Sequence, residues 1–142
     1  MPSCLVVEDC PVYRQVVCDI LHRHFPGLLI AEAEDAREAT EKARSSKPDL
    51  VLMDLQLPDE NGLEVARRIW DVNPLATVVV VTSYDIPEYR EAAAQLGVRH
   101  FLVKSTSTPK ELVALTSTIF EERALAGAQA SGVLAAPATG SF

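Results

Sequence analysis

The chain of 142 residues alternates five times between a short apolar run and a longer stretch with helical spacing. Short apolar runs rich in Val, Ile and Leu are typical of strands that are buried on both faces of a sheet. Strands that alternate with helices predict a parallel sheet with helices on both faces, joined by right-handed crossovers. We therefore predict one α/β domain over residues 1–122. Its five strands are expected within residues 3–8, 28–33, 49–54, 76–81 and 98–103.

Turn and capping residues indicate where the intervening helices begin. Pro11 is typical of a first helical turn. The apolar residues of the helix that follows are predicted to share one face: Val12, Val16, Ile20 and Phe25, with Val17 and Leu21 beside them. Each of the four later helices is preceded by a capping residue with an acid three positions further on. These pairs are Asp35 with Glu38, Asn61 with Glu64, Asp85 with Glu88, and Thr108 with Glu111.

The composition argues against several classes of partner. The formal net charge is −7, so we expect no direct binding of this chain to nucleic acid. No apolar run approaches the ~20 residues that a membrane helix needs. Cys4, Cys10 and Cys18 show no zinc spacing, and a reduced cytoplasmic protein is the simplest interpretation. Residues 123–142, rich in Ala, Gly and Ser, are interpreted as a helix extension that fades into a flexible tail, or as a truncated linker.

Polar side chains follow four of the predicted strands. Glu8 and Asp9 follow the first strand, Asp54 the third, Thr82 the fourth and Lys104 the fifth. The carboxyl ends of parallel strands meet at one edge of the sheet, where ligands bind in open α/β folds. In the flavodoxin-like strand order 2-1-3-4-5, the first and third strands are neighbours and their ends lie roughly 5 Å apart. That order would bring the three carboxylates into one crevice.

Crowded carboxylates repel one another, which raises a pKa or requires a cation. Oxygen ligands with room for several waters suit Mg²⁺. Asp54 could then act as the nucleophile toward an activated phosphoryl group. The Thr82 hydroxyl and the Lys104 ammonium would serve as partners for the other phosphoryl oxygens. Alternatively, each acidic residue alone is a helix cap or a solvated turn residue.

Residues 3 to about 122 resemble the receiver domain of the two-component response-regulator family. The matching residues are Glu8 and Asp9 after the first strand, Asp54 within the segment MDLQLP, Gly62, Thr82, and Lys104 after the fifth strand. The resemblance implies that Asp54 is the phosphoacceptor. It also implies that Asp9 and Asp54 ligate Mg²⁺ directly, that Glu8 does so through water, and that the backbone carbonyl of Gln56 completes the protein ligands.

The resemblance further implies a signalling role for residues beyond the acidic group. Thr82 and Lys104 would report the phosphoryl group to the rest of the fold, and Phe101 matches the aromatic switch of the family. Because Phe lacks a hydroxyl, its two positions would differ by burial alone. The alternative for Phe101 is an ordinary core aromatic of the fifth strand.

The chain also departs from the common pattern of the family. Glu8 stands where Asp is commoner, and Ser105 stands where many members have a proline with a cis bond, so no cis peptide is predicted there. The Lys-Ser pair, with the segment SYD at residues 83–85, leans toward receivers of LuxR-type regulators. Gln56 and Tyr84 flank the expected phosphoryl site, and their bulk is predicted to hinder the hydrolytic water.

These observations predict a phosphorylation-controlled switch that takes its phosphoryl group from a histidine kinase or a histidine phosphotransfer protein. Such a domain assists its own phosphorylation and dephosphorylation but is not a conventional enzyme. A phosphatase of the haloacid-dehalogenase type would need an acid at Gln56. Two alternatives remain, an interaction module that works without phosphorylation and the receiver part of a longer DNA-binding regulator. The segment 99–111, with the last helix, is the expected face for docking or homodimerisation.

Overall fold

The computed structural model describes residues 2–130. Five strands and five helices alternate along the chain. The strands are β1 (Ser3–Val7), β2 (Leu29–Ala33), β3 (Leu50–Met53), β4 (Thr77–Thr82) and β5 (His100–Val103). The helices are α1 (Pro11–His24), α2 (Ala36–Ser46), α3 (Gly62–Val72), α4 (Pro87–Leu96) and α5 (Pro109–Ala130).

The five strands form one sheet in the order β2-β1-β3-β4-β5, and every pair is parallel. This confirms the predicted flavodoxin-like topology. Val7 is paired with Met53, so the residues that follow β1 and β3 leave the sheet side by side. Thr82 is paired with Val103, so β4 and β5 also end together at this edge of the sheet. The register therefore brings the polar residues after β1, β3, β4 and β5 to one end of the sheet.

The core lies on both faces of the sheet, because alternate strand residues point to opposite sides. One face joins the sheet to α2, α3 and α4 through a continuous apolar cluster. Its fully buried strand members are Leu5, Val7, Ala33, Val51, Met53, Val78 and Val80. The α1 side chains Val17, Cys18 and Leu21 are buried outside that cluster, and burial, together with the nearby Cys18, raises the pKa of Cys4 on β1. Helix α1 therefore covers the opposite face.

The prediction for the buried face of α1 was wrong for two residues. Val12 is 74% exposed and Val16 is 47% exposed, whereas Val17 and Leu21 are buried. Helical spacing produces two neighbouring apolar lines on this helix, one with Val12, Val16 and Ile20 and one with Val17 and Leu21. The second line is buried, whereas the first is buried only at Ile20. Packing against β1 selected the line that contains Val17 and Leu21.

Two of the four predicted caps are confirmed, and the one at Thr108 stays a prediction. The Asp35 carboxylate accepts a hydrogen bond from the Glu38 amide at 2.8 Å, and the Asn61 side chain accepts one from the Leu63 amide at 2.7 Å. The prediction that Asp85 caps α4 was wrong. Pro87 starts that helix, Ile86 is the cap residue, and Asp85 lies outside it.

The described residues divide into two compact units, 2–109 and 110–130. The first unit holds the sheet and α1 to α4. In the second unit, α5 buries Leu112, Thr116 and Ile119 at helical spacing and continues to Ala130. Residues 131–142 of the predicted tail lie outside the described residues, and the boundary at residue 122 stays a prediction. Within residues 2–130, no helix has the length and apolar character that crossing a bilayer requires.

Candidate functional site

Three carboxylates meet at the carboxyl ends of β1 and β3. Ligand oxygens of Glu8, Asp9 and Asp54 all lie within 4.8 Å of one another. Glu8 and Asp54 are buried, whereas Asp9 is exposed. Sheet hydrogen bonds hold this arrangement beyond the strands themselves, because the Asp54 amide donates to the Val7 carbonyl at 3.1 Å. The neighbouring positions of β1 and β3 thus create the acidic crevice that the strand order predicted.

Lys104 enters the same crevice from the end of β5. Its ammonium donates to Glu8 Oε1 at 2.5 Å and to Asp54 Oδ2 at 3.1 Å. The side chain is only 15% exposed, so these bonds lie in a poorly hydrated environment. The Lys104 amide donates to the Thr82 carbonyl at 2.8 Å, which fixes where the side chain leaves the backbone.

The charges in this crevice do not balance. Burial raises the pKa of Glu8, and the hydrogen bonds that Glu8 accepts from Lys104 and from the Cys10 amide offset this only in part. Burial alone would lower the pKa of Lys104, but its hydrogen bond to Glu8 and the charge of Asp54 outweigh burial and raise it. One ammonium therefore faces three carboxylates, and the cluster favours a further cation.

The donor set fits a hard divalent cation. It consists of oxygens, and the exposed Asp9 leaves one side open to water, as Mg²⁺ requires. The cluster can therefore hold a metal ion. Gln56, whose backbone carbonyl is the predicted ligand, is exposed two residues after Asp54. Its backbone N–H donates to Asp54 Oδ1 at 3.0 Å.

Gly62 holds the loop after β3 tightly against Asp54. A Cβ atom at this position would lie 2.2 Å from the Asp54 carbonyl oxygen and 2.9 Å from Leu55 Cα. Real Cβ atoms do not approach backbone so closely, so only glycine fits without a shift. The Gly62 amide donates to the Leu55 carbonyl at 2.8 Å and closes the loop.

Thr82 and Phe101 lie on the neighbouring strands. Thr82 is fully buried, and its hydroxyl accepts a hydrogen bond from the Tyr84 amide at 3.3 Å. Phe101 is half-buried on β5, and the Arg90 guanidinium of α4 lies 4.5 Å from its ring centroid. The ring therefore has a cationic partner in the position that the structure describes. The prediction that two positions of Phe101 would differ by burial alone leaves this contact out.

Two residues of α1 belong to this site and were not predicted. The Lys104 ammonium lies 4.4 Å from the centroid of the Tyr13 ring. Arg14 donates from one guanidinium nitrogen to the Glu8 carbonyl at 2.6 Å and from Nε to Glu32 at 2.9 Å. Spacing could have indicated both, because the first turn of a helix that follows β1 directly remains near the end of that strand.

Comparisons with known proteins agree with this geometry. The response regulator receiver domain family matches residues 4–117. The chemotaxis protein CheY of Thermotoga maritima is 31% identical over 112 residues, which cover 78% of this chain and 92% of that protein. The transcriptional regulatory protein YxjL of Bacillus subtilis is 30% identical over 108 residues, which cover 76% of this chain.

Among solved structures, a two-component response regulator of the LuxR family from Aurantimonas is similar with a TM-score of 0.75 and 31% identity. The match covers 84% of this chain and 85% of that one. The chain spans about half the length of some curated relatives, 49% in the case of YxjL. The family match, the relatives, the solved structure and the parallel sheet lead to one conclusion. The chain belongs to the response-regulator receiver-domain family, the phosphorylation switches of two-component signalling.

Proposed function

We propose that Asp54 is the phosphoacceptor of this switch. The observation that carries the proposal is the position of its buried carboxylate. This carboxylate accepts a hydrogen bond from Lys104 and lies beside Glu8 and Asp9. An Asp54 oxygen attacks the phosphorus of a phosphohistidine and forms a new P–O bond. The P–N bond breaks, and the imidazole of the donor keeps its electron pair.

Glu8, Asp9, Asp54 and the backbone carbonyl of Gln56 form the proposed Mg²⁺ site. Receiver domains bind Mg²⁺ at such an acidic cluster. When bound, the ion would neutralise the charge of the carboxylates and of the incoming phosphoryl group. The chain itself supplies the arrangement of the ligands, because the register of β1 and β3 sets the distance between Glu8 and Asp54.

Lys104, Thr82 and Phe101 are proposed to respond to the phosphoryl group. Lys104 already donates to Asp54, so it can transfer that hydrogen bond to a phosphoryl oxygen without leaving the crevice. The Thr82 hydroxyl accepts from the Tyr84 amide, so its turn toward the phosphoryl group would release the loop after β4. Phe101 would then exchange its position near Arg90 for an inward one.

The proposed phosphodonor is a histidine kinase or a histidine phosphotransfer protein, the partners of receiver domains in general. The net charge of −7 supports an output through protein contacts rather than direct binding to nucleic acid. The segment 99–111 and the last helix are the proposed face for docking or homodimerisation. Because some relatives are twice as long, a receiver within a longer transcription regulator is the second form of this proposal.

Asp54 and the metal site assist only the chain's own phosphorylation and dephosphorylation in this proposal, with no turnover of a separate substrate.

Gln56 and Tyr84, both exposed beside the crevice, are proposed to slow the approach of water to the phosphoryl group. Replacing Tyr84 with Ala should shorten the lifetime of the phosphorylated form. An unchanged rate of dephosphorylation would remove this part of the proposal.

The central test is treatment with acetyl phosphate and Mg²⁺, followed by mass spectrometry of the intact protein. The wild type should gain one phosphoryl group, and Asp54→Asn should gain none. Asp59→Asn is the matched control, because it removes an acid of the same loop that lies outside the carboxylate cluster. Beryllofluoride with Mg²⁺ should change the oligomeric state or the exposure of the 99–111 segment. A wild type that gains no phosphoryl group would support the phosphorylation-independent module instead.

A further inference from the structure

The Lys104 ammonium has three neighbours, and one of them carries no charge. Two are the carboxylates of Glu8 and Asp54, and the third is the face of the Tyr13 ring, 4.4 Å from Nζ to the centroid. Tyr13 is half-buried on the first turn of α1. A cation over an aromatic face is attracted by about 0.5–1 kcal/mol at exposed sites and by about 2 kcal/mol when desolvated.

We infer that Tyr13 is a positioning residue for Lys104, holding the ammonium over the crevice during phosphorylation. The inference rests on the proposed function, in which Asp54 accepts the phosphoryl group and Lys104 binds one of its oxygens. It adds a residue of α1 to Asp54, Thr82 and Lys104, the groups proposed to act on the phosphoryl group, which all lie at strand ends.

The carboxylates cannot by themselves hold the Lys104 ammonium in place during phosphorylation, because the reaction engages their oxygens. Asp54 is a proposed direct metal ligand and Glu8 a proposed ligand through water, and an Asp54 oxygen becomes part of the new bond to phosphorus. Their attraction for the ammonium is therefore reduced when Lys104 must bind the phosphoryl oxygen. An aromatic face is not a ligand for a hard divalent cation, which takes oxygen. The contact with Tyr13 consequently persists from the free state to the phosphorylated one.

The first turn of α1 is itself held in place, so the ring is positioned before the reaction. Arg14, the next residue, donates to the Glu8 carbonyl at 2.6 Å and pairs with Glu32 at 2.9 Å. Its amide donates to the Cys10 carbonyl at 3.0 Å. These bonds tie the turn that carries Tyr13 to the backbone of the acidic cluster. The side chain therefore restricts Lys104 without an entropic cost at the moment of reaction.

The test compares Tyr13→Phe with Tyr13→Leu, because Phe keeps the aromatic face and Leu keeps only apolar bulk. Phosphorylation by acetyl phosphate at saturating Mg²⁺ is followed by intact mass. Tyr13→Leu should lower the rate constant about threefold to tenfold, and Tyr13→Phe should stay within about twofold of the wild type. The Mg²⁺ dissociation constant, measured by calorimetry, should remain within about twofold in both variants, since Tyr13 is not a proposed ligand.

A double-mutant cycle with Lys104→Met identifies the route of the effect. If Tyr13 acts through the ammonium, Tyr13→Leu causes no further loss once Lys104 is replaced. The same fold-loss in both backgrounds would overturn the inference, since it would show a role independent of Lys104. Equal losses in Tyr13→Phe and Tyr13→Leu would overturn it too, because the hydroxyl would then matter instead of the ring.

The failure of the inference is distinguishable from the failure of the proposed function. A wild type that is phosphorylated on Asp54 while Tyr13→Leu reacts at the wild-type rate overturns the role of Tyr13 alone. A wild type that is not phosphorylated, or an Asp54→Asn variant that reacts like the wild type, overturns both. The ring-current shift of the Lys104 ε-protons gives a second readout, expected to be retained in Tyr13→Phe and lost in Tyr13→Leu.

Discussion

Two cations lie over aromatic rings in the part of the chain that the structure describes, at nearly the same distance but in different surroundings. Lys104 lies 4.4 Å from the Tyr13 centroid, and Arg90 lies 4.5 Å from the Phe101 centroid. The Lys104 side chain is 15% exposed and its carboxylate partners less than 10%. The Arg90 side chain is 46% exposed, and its ion-pair partner Asp85 is 60% exposed.

This difference in hydration separates a fixed site from an adjustable surface. Ion pairs that are shielded from water hold their geometry strongly, and a missing partner leaves a buried charge. Exposed ion pairs contribute about 0–1 kcal/mol, so they are easily exchanged for water. A switch needs both, a receiving site that binds in one geometry and a surface with two positions of similar free energy. The acidic crevice meets the first need, and the contact between α4 and β5 suits the second.

The comparison is tested most strongly by replacing each cation with Met. Lys104→Met leaves the buried carboxylates Glu8 and Asp54 without a cation and should lower the free energy of unfolding by about 3 kcal/mol in EDTA. Arg90→Met should cost less than about 1 kcal/mol. Urea unfolding measures both values, and added Mg²⁺ should reduce the loss in Lys104→Met only. Equal losses in EDTA would contradict the distinction between the two sites.

A second prediction concerns the backbone of the fixed site. Gly62→Ala should lower the free energy of unfolding by about 2 kcal/mol, because its Cβ would overlap the Asp54 carbonyl oxygen. Gly27→Ala is the control, since a Cβ there meets nothing within 4 Å. Chemical unfolding of both variants gives the comparison. If Gly62→Ala were as stable as Gly27→Ala, the loop after β3 would be less constrained than the structure indicates.

A third prediction, of a smaller and pH-dependent loss of stability, concerns the hydrogen bond that joins the loop after β3 to the start of α2. The Asp59 carboxylate accepts from the Ala36 amide at 2.9 Å, and this hydrogen bond holds the pKa of Asp59 below its ordinary value near 3.8. A lowered pKa stabilises the folded state above the unfolded pKa, and the contribution is lost as the pH falls through the folded value. Asp59→Ala should therefore be less stable than the wild type at pH 7, and the gap should shrink below pH ~4. Thermal unfolding across this pH range measures the gap, and a constant gap would disprove the linkage.

The smallest predicted effect is on the position of Phe101. Arg90→Met removes the cation that lies over the ring and should raise the population of the proposed inward position about twofold to fivefold. Asp85→Asn is the matched control, because it weakens the ion pair but keeps the guanidinium near the ring. NMR of the Phe101 ring with and without beryllofluoride reports the two populations. An unchanged population in Arg90→Met would make the contact incidental.

The sequence predicted the order of elements and the polar residues that the strands deliver to one edge. Both predictions rest on local rules, because short apolar runs form buried strands and parallel strands end on the same side. The prediction that Asp85 caps α4 was wrong for a similarly local reason. Pro87 can start a helix at its own position, and Asp85 was then left to pair with Arg90.

By itself, therefore, the sequence determined the order of strands and helices and which residues could form an acidic crevice with a lysine. Only the tertiary structure decided which line of α1 is buried, that Tyr13 lies beside Lys104, and that Arg90 covers Phe101. These contacts join residues far apart in the chain, and their geometry depends on how helices pack on the sheet. Periodicity along one segment carries no information about the segment that it will meet.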